Sequence, residues 1–202
     1  MILFDLSGSE ANPVYQSMEI SNGDRQFSFL QSLVDAAIGC DQHFISDTLL
    51  KALNFHAIAC LHTSAGQYRP CKVTVGEFEP PPEFQVPGFM ENFINTVNRQ
   101  WEQADPVVLS SFVLWRLNHI HPFINGNGRT ARAAAYFVLC VKLGGWLKGT
   151  PILPARLKLN DPEYVAAIKA ADASVVAGPL DLTAIHALIS RLLAEQIAEP
   201  DA

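Results

Sequence analysis

His121-Pro122-Phe123-Ile124-Asn125-Gly126-Asn127-Gly128-Arg129-Thr130-Ala131-Arg132 is the stretch around which this chain organises itself. It opens a segment, Arg129 to Leu143, that is apolar on almost every side beyond its first turn. A helix without a polar face reads as central and buried. The start of any helix carries unpaired backbone N–H groups and the positive end of the helix dipole. Arg129 and Arg132 add two cations at that same end, three residues apart and therefore on one face. Such crowding makes sense when an anion sits among the charges. Gly126 and Gly128 let the backbone approach that anion closely, and with Asn127 between them they suit a turn of exposed N–H groups. The expected ligand is a phosphate chain.

His121 stands at the head of this loop. Free imidazole is mostly a base at neutral pH and is able to take a proton from a hydroxyl. Pro122 stiffens the backbone that carries it, and Phe123 is expected to anchor the loop in the core. A base beside a phosphate cradle implies phosphorus transfer, catalysed by positioning and charge neutralisation. Blander readings stand beside this one. His119 and His121 have the spacing of a metal pair, but no third ligand is near, and a hydrogen-bonded His119 is preferred. The arginines have local carboxylates as an alternative partner. His43, His56, His62 and His186 lie on helical patterns and read as ordinary.

The remainder of the chain supplies a frame. With 202 residues, 49% of them apolar and 17% charged, it has material for one large domain with a buried core. A net charge of −6 and a pI near 5.4 speak against non-specific nucleic-acid or acidic-membrane partners. Cys40, Cys60, Cys71 and Cys140 lack paired short spacing and read as reduced thiols of a cytosolic protein. Residues 1–10 lack the basic and apolar regions of a signal peptide, and the longest apolar run, Ala133 to Val141, is too short to span a bilayer. A soluble, cytoplasmic protein is expected.

Element by element, the pattern is mainly α. The first twenty or so residues show no clear period and are expected to wrap the surface. Asp24 to Ile38 and Ile45 to His62 read as amphipathic helices, with Gly39 and Gly66 as stop signals. Within residues 66–84, Lys72-Val73-Thr74-Val75 has strand character before Gly76 and a proline triplet, which predicts a short hairpin or extended flap. Gly88 to Trp101 is helical again. Asp105-Pro106 pairs an N-cap acceptor with proline at the first helical position, starting a helix that ends near His119. Asn160-Asp161-Pro162 repeats that signature before Tyr164 to Ala173, and residues 181–197 supply a final helix.

The loop resembles the signature of the Fic (Fido) family, HPFx[DE]GNGRxxR. His121, Pro122, Phe123, Gly126, Asn127, Gly128, Arg129 and Arg132 match it. The likeness extends more loosely from about residue 45 to 173, taking in Gly66-Gln67-Tyr68-Arg69 and the proline-flanked flap. On that basis 1–202 reads as a single Fic-like domain, with residues 1–44 a helical extension and 181–197 a C-terminal helix. The resemblance implies a helical bundle with a β-hairpin flap near the active site. It implies a nucleotidyltransferase that moves AMP from ATP to a Ser, Thr or Tyr hydroxyl of a target protein, releasing pyrophosphate. His121 would activate the hydroxyl, Gly126, Asn127 and Gly128 would form the anion hole, and Arg129 and Arg132 would hold the β- and γ-phosphates. Val73, Thr74 and Val75 would dock the target backbone as an added strand.

Asn125 departs from the pattern, which has Asp or Glu there to hold Mg²⁺. An amide oxygen ligates Mg²⁺ without bringing charge. Losing one preorganised electrostatic group typically costs ~10²–10³ in rate, which implies a slowed enzyme. The family's inhibitory helix, [ST]xxxE[GN], has no match in the sequence, so a separate inhibitor protein is one expectation. Two other readings stay open: a nucleotide-binding regulatory module with little or no transfer, and a Fic-type enzyme using another nucleotide or phosphate donor.

Overall fold

Ala131 and every residue from Ala133 to Val141 are buried, so the helix that contains them sits at the centre of the molecule. The computed structural model describes residues 2–199. In chain order its helices are α1 (Leu3–Ser7), α2 (Pro13–Gly39), α3 (Asp47–Ile58), α4 (Val86–Gln100), α5 (Pro106–Ile120), α6 (Asn127–Lys142), α7 (Leu153–Leu159), α8 (Asp161–Ala177) and α9 (Thr183–Ala198). No strand forms among the described residues, and none of their helices is long and apolar enough to cross a membrane. Around α6 lie α5, α2, α3 and α7, and α4, α8 and α9 enclose the far side of α5.

Local chemistry explains most of the boundaries. Asp105 accepts hydrogen bonds from the backbone N–H groups of Val107 and Val108 at 2.8 and 3.2 Å, and Pro106 opens α5 as expected. Leu109, Val113, Leu117 and Ile120 then form its buried stripe. Within the first twenty residues, which show no clear period in the sequence, lie α1 and the start of α2. Asn12 accepts from the Val14 N–H and Pro13 is the first residue of α2, the same cap-and-proline signature as at α5. The signal was masked because the buried face of α2 reads Tyr15, Asn22, Gln26, Leu30, Val34 and Ala37. Two of its positions are amides, which donate to the carbonyls of Ala59 and Leu53 at 2.9 Å and fix α2 across α3. Helix α7 is a further element that the sequence did not announce. Its first N–H, on Leu153, is satisfied from a distance by the side-chain Oε1 of Gln196 at 2.7 Å.

The flap also differs from the β-hairpin that the resemblance implies. Val75 and Phe78 exchange two backbone hydrogen bonds of 3.0 Å across a tight turn, and pairing stops there. The reason lies in the returning arm. The register set by Val75 and Phe78 places Pro80 opposite Val73 and Pro81 opposite Lys72, and proline has no N–H to donate. Of the two forms expected, a short hairpin or an extended flap, the segment takes the extended one, closed by a single bridge and without paired strands among the described residues. A second bridge, between Tyr68 and Phe123, joins the base of the flap to the loop before α6.

Behind that loop, Tyr15, Ala57, Ile58 and Leu61 form a small satellite core against which Ile124 packs. At the other end of the molecule, Gly149 has φ +89°, and a Cβ there would lie 1.8 Å from the Gln196 carbonyl oxygen. Gly149→Ala should therefore lower the urea-denaturation free energy by at least about 2 kcal/mol, combining backbone strain with overpacking. Gly144→Ala, at φ +88° in open space, should cost only about 1 kcal/mol.

Candidate active site

Helix α5 ends by placing His121 in the left-handed region, φ 50° and ψ 58°, with its N–H on the Leu117 carbonyl at 3.0 Å. Glycine usually fills such a position, and a β-carbon there costs on the order of 1 kcal/mol. The strain turns the chain sharply toward α6 and aims the imidazole into an open cavity of about 590 Å³. Burial pushes the His121 pKa down to about 4, opposed by its backbone contact with Asn118 and assisted by the nearby Arg69 charge. The ring is therefore neutral at pH 7. Its Nδ1 lies 3.4 Å from the Asn118 carbonyl, which favours the tautomer protonated at Nδ1 and leaves Nε2 as the basic atom.

The start of α6 has no side-chain cap. Gly126 occupies the N-cap position at φ 75°, where a Cβ would meet Ile58 Cγ2 at 2.8 Å and Asn54 Nδ2 at 3.1 Å. Only glycine fits. Asn54, fully buried on α3, donates to the Asn125 carbonyl at 2.9 Å and accepts from the Gly66 N–H at 3.0 Å, pinning the loop to α3. Asn127 braces the loop with both ends of its amide: Oδ1 accepts from the Phe123 N–H at 2.9 Å and Nδ2 donates to the Phe123 carbonyl at 2.8 Å. Its side chain is thus consumed in shaping the turn, and an anion would meet the backbone N–H groups of Asn127 and Gly128.

The cavity gathers Thr74, Val75, His121, Asn125, Gly126, Asn127, Gly128, Arg129 and Arg132 in one place. Of the residues expected at the site, only Val73 lies outside its lining. The two arginines are not equivalent. Arg132 lies near the Tyr164 ring at 5.9 Å and has no carboxylate partner among the described residues. Arg129 is engaged: Nη2 is 3.1 Å from Glu19 Oε1 and Nη1 donates to the Ala57 carbonyl at 3.0 Å. Glu19 comes from α2, in a stretch that shows no clear period in the sequence. The inhibitory pattern failed to flag it because Tyr15 stands where Ser or Thr was required and Ile20 where Gly or Asn was. Lys158 of α7 also reaches the cavity wall and was missed with its helix.

Asn125 does not present a metal ligand. Its Oδ1 accepts from the Gly126 N–H at 2.5 Å and lies 3.4 Å from Arg129 Nη2. Its Nδ2 faces Glu10 Oε1 at 2.6 Å and His62 Nε2 at 3.1 Å. Every donor meets an acceptor, so the amide is a bracket between the loop and the N-terminal segment. No group of three or more acidic, histidine or cysteine side chains is clustered for a metal among the described residues. The residues present do not fit the Mg²⁺ ligand expected at 125. His62, read as ordinary, belongs to this bracket, held 2.9 Å from the Tyr15 hydroxyl. His119 is hydrogen-bonded, as preferred from sequence, with Nδ1 2.7 Å from Asp172.

Residues 44–139 match the model of the Fic/DOC family. The chain contains a Fic domain. Over 89 residues it is 35% identical to the protein adenylyltransferase Fic of Drosophila grimshawi, an alignment covering 42% of this chain and 18% of that protein. The chain thus spans less than a fifth of the length of the curated relatives it matches. Among solved structures, a Fic domain containing signaling protein from Bacteroides thetaiotaomicron superposes with a TM-score of 0.71 at 18% identity, covering 96% of this chain and 75% of that one. A fragment of Fic-1 from C. elegans gives 0.67 at 22% identity, covering 89% and 48%. The mainly helical fold is common to this chain and both of those structures.

Desolvation of the half-buried His121 makes the protein sensitive to acid. The His121 pKa falls from its ordinary 6.5 to about 4 on folding. Between those values the unfolded chain binds more protons, so stability from this group is complete above pH 6.5 and lost toward pH 4. The loss is on the order of 3 kcal/mol at 1.36 kcal/mol per unit. Urea denaturation from pH 7 to 4 should show this slope, and His121→Asn, which tolerates the left-handed backbone, should flatten it.

Proposed function

We propose that this chain transfers AMP from ATP to a hydroxyl side chain of a target protein. The observation that carries the reading is the juxtaposition of a neutral, half-buried His121 with the uncapped start of α6 and the carboxylate-free Arg132. Nε2 of His121 takes the proton from the target's Ser, Thr or Tyr hydroxyl. That oxygen bonds to the α-phosphorus, and the bond from this phosphorus to the α–β bridging oxygen breaks, so pyrophosphate leaves. The backbone N–H groups of Asn127 and Gly128 stabilise charge on the phosphates, and Arg132 holds the end of the chain. Val73 and Thr74, whose backbones make no hydrogen bond within the described chain, offer an extended target segment an edge beside His121. No step is assigned to Mg²⁺, because Asn125 offers it no free oxygen.

Arg129 enters this scheme only after leaving Glu19. The carboxylate competes with phosphate for the same guanidinium, and the contact is partly shielded from solvent. Glu19→Gln should tighten ATP binding several-fold in isothermal titration, with the gain shrinking as salt rises. Unchanged affinity would mean that Glu19 is no obstacle.

The same contact, together with the bracketed Asn125, favours a second reading: a module that binds nucleotide and does not turn it over. Incubation with ATP labelled separately at the α- and γ-phosphates separates the two. Transfer of α-label to protein, reduced at least ~10²-fold in His121→Asn, is the expected result. Label arriving only from the γ position would replace the AMP reading with phosphotransfer. Binding without any label transfer, in wild type and Glu19→Gln alike, would establish the binding module.

A further inference from the structure

Arg69 is 3% exposed and has no carboxylate partner among the described residues, an expensive place for a full positive charge. Backbone carbonyls satisfy it instead. Nε donates to the His121 carbonyl at 2.8 Å, Nη1 to the Cys71 carbonyl at 3.1 Å, and Nη2 to the Pro81 carbonyl. Its own backbone N–H donates to the Pro122 carbonyl at 2.8 Å. The three carbonyls reached by the side chain come from three places: the base-carrying turn, the outgoing arm of the flap and its returning arm.

The register of the flap explains why such a group is needed. Beyond the Val75–Phe78 bridge, Pro80, Pro81 and Pro82 cannot donate ladder hydrogen bonds to the opposite arm. Nothing in the backbone holds the two arms together at their root. A planar guanidinium, with donors fanned in a fixed fork, spans that gap and reaches a third acceptor behind it. Lysine has the charge without the fork.

We infer that Arg69 is a positioning residue, which locks the root of the flap and the carbonyl of His121 to one rigid group so that the docking edge and the base keep a fixed separation. The inference rests on the transferase reading for its purpose, since only an acceptor hydroxyl presented by the flap needs that separation held. Its geometry is independent of that reading. The charge has a second effect, because it stands behind His121 and helps keep the imidazole neutral.

The part of the test that decides the clamp needs neither ATP nor a target. In ¹⁵N-labelled wild type, Arg69 should give resolved, slowly rotating Nη proton signals, and one averaged signal would overturn the clamp. Arg69→Lys keeps charge and loses the fork. The backbone amides of residues 72–78 should then become mobile on the nanosecond scale while the His121 titration midpoint stays low. Arg69→Met loses both, so the midpoint should also rise. A flap as ordered in both variants as in wild type, or a midpoint indifferent to Arg69→Met, would overturn the proposal. Should Arg69→Met not fold, the wild-type signals and Arg69→Lys still decide it. If the wild type transfers label, Arg69→Lys should lose at least tenfold in kcat with KM for ATP little changed. If the wild type transfers nothing, the transferase reading fails while the clamp has been judged on the resonance data.

Discussion

A helix buried on all sides has to begin somewhere, and α6 begins inside the protein without a side chain to cap it. Its first N–H groups and dipole end face a cavity instead of an Asp or Ser. Everything nearby can be understood as a response to that uncompensated positive end. Gly126 is squeezed against Ile58 and Asn54 because the turn must fold back sharply enough to aim those N–H groups outward. Asn127 spends its amide on Phe123 to hold the turn in that shape. Glu19 lends a carboxylate to Arg129 from a different helix. The hydrophobic burial of α6 supplies the energy that sustains this arrangement, since a core helix of this size tolerates an unfavourable terminus worth a few kcal/mol.

The most legible elements were those whose local chemistry and burial agree. Asp105-Pro106 marked α5 because its cap, its proline and its apolar stripe point the same way. The glycines, His121 and the arginines could be placed together because twelve consecutive residues carry them. Helix α2 carried an equally good cap-and-proline start at Asn12-Pro13, yet its period was hidden. Asn22 and Gln26 occupy buried positions as hydrogen-bond donors to α3, so a hydrophobic count skips them. Glu19 was lost with them. The hairpin form of the flap failed for the opposite reason: Lys72 to Val75 has strand character, but a strand needs a partner with N–H groups, and its partner arm is proline. Helix α7 depends on Gln196, more than forty residues away, for its first acceptor, and no local reading finds that.

Asn125 shows how a one-residue departure is resolved by its surroundings. Alone, the substitution of an amide for a carboxylate reads as a weakened metal ligand. In place, the amide satisfies four neighbours, two on each end, and joins the loop to a segment more than one hundred residues earlier. A carboxylate there would repel Glu10 and accept nothing from it, so the N-terminal segment and the identity of residue 125 are matched to each other.

The prolines that interrupt the flap have a consequence for the molecule in solution. An unpaired strand arm is a template on which another copy could zip itself, and proteins guard such edges by keeping them short or breaking them. Here the unpaired arm runs only from Cys71 to Thr74, bounded by Pro70 and the closed turn. An arm of four residues is shorter than the usual strand of about five or six, so it gives another copy of the chain little to zip onto. The same sequence that denies the flap a ladder of its own also protects the protein against edge-to-edge aggregation.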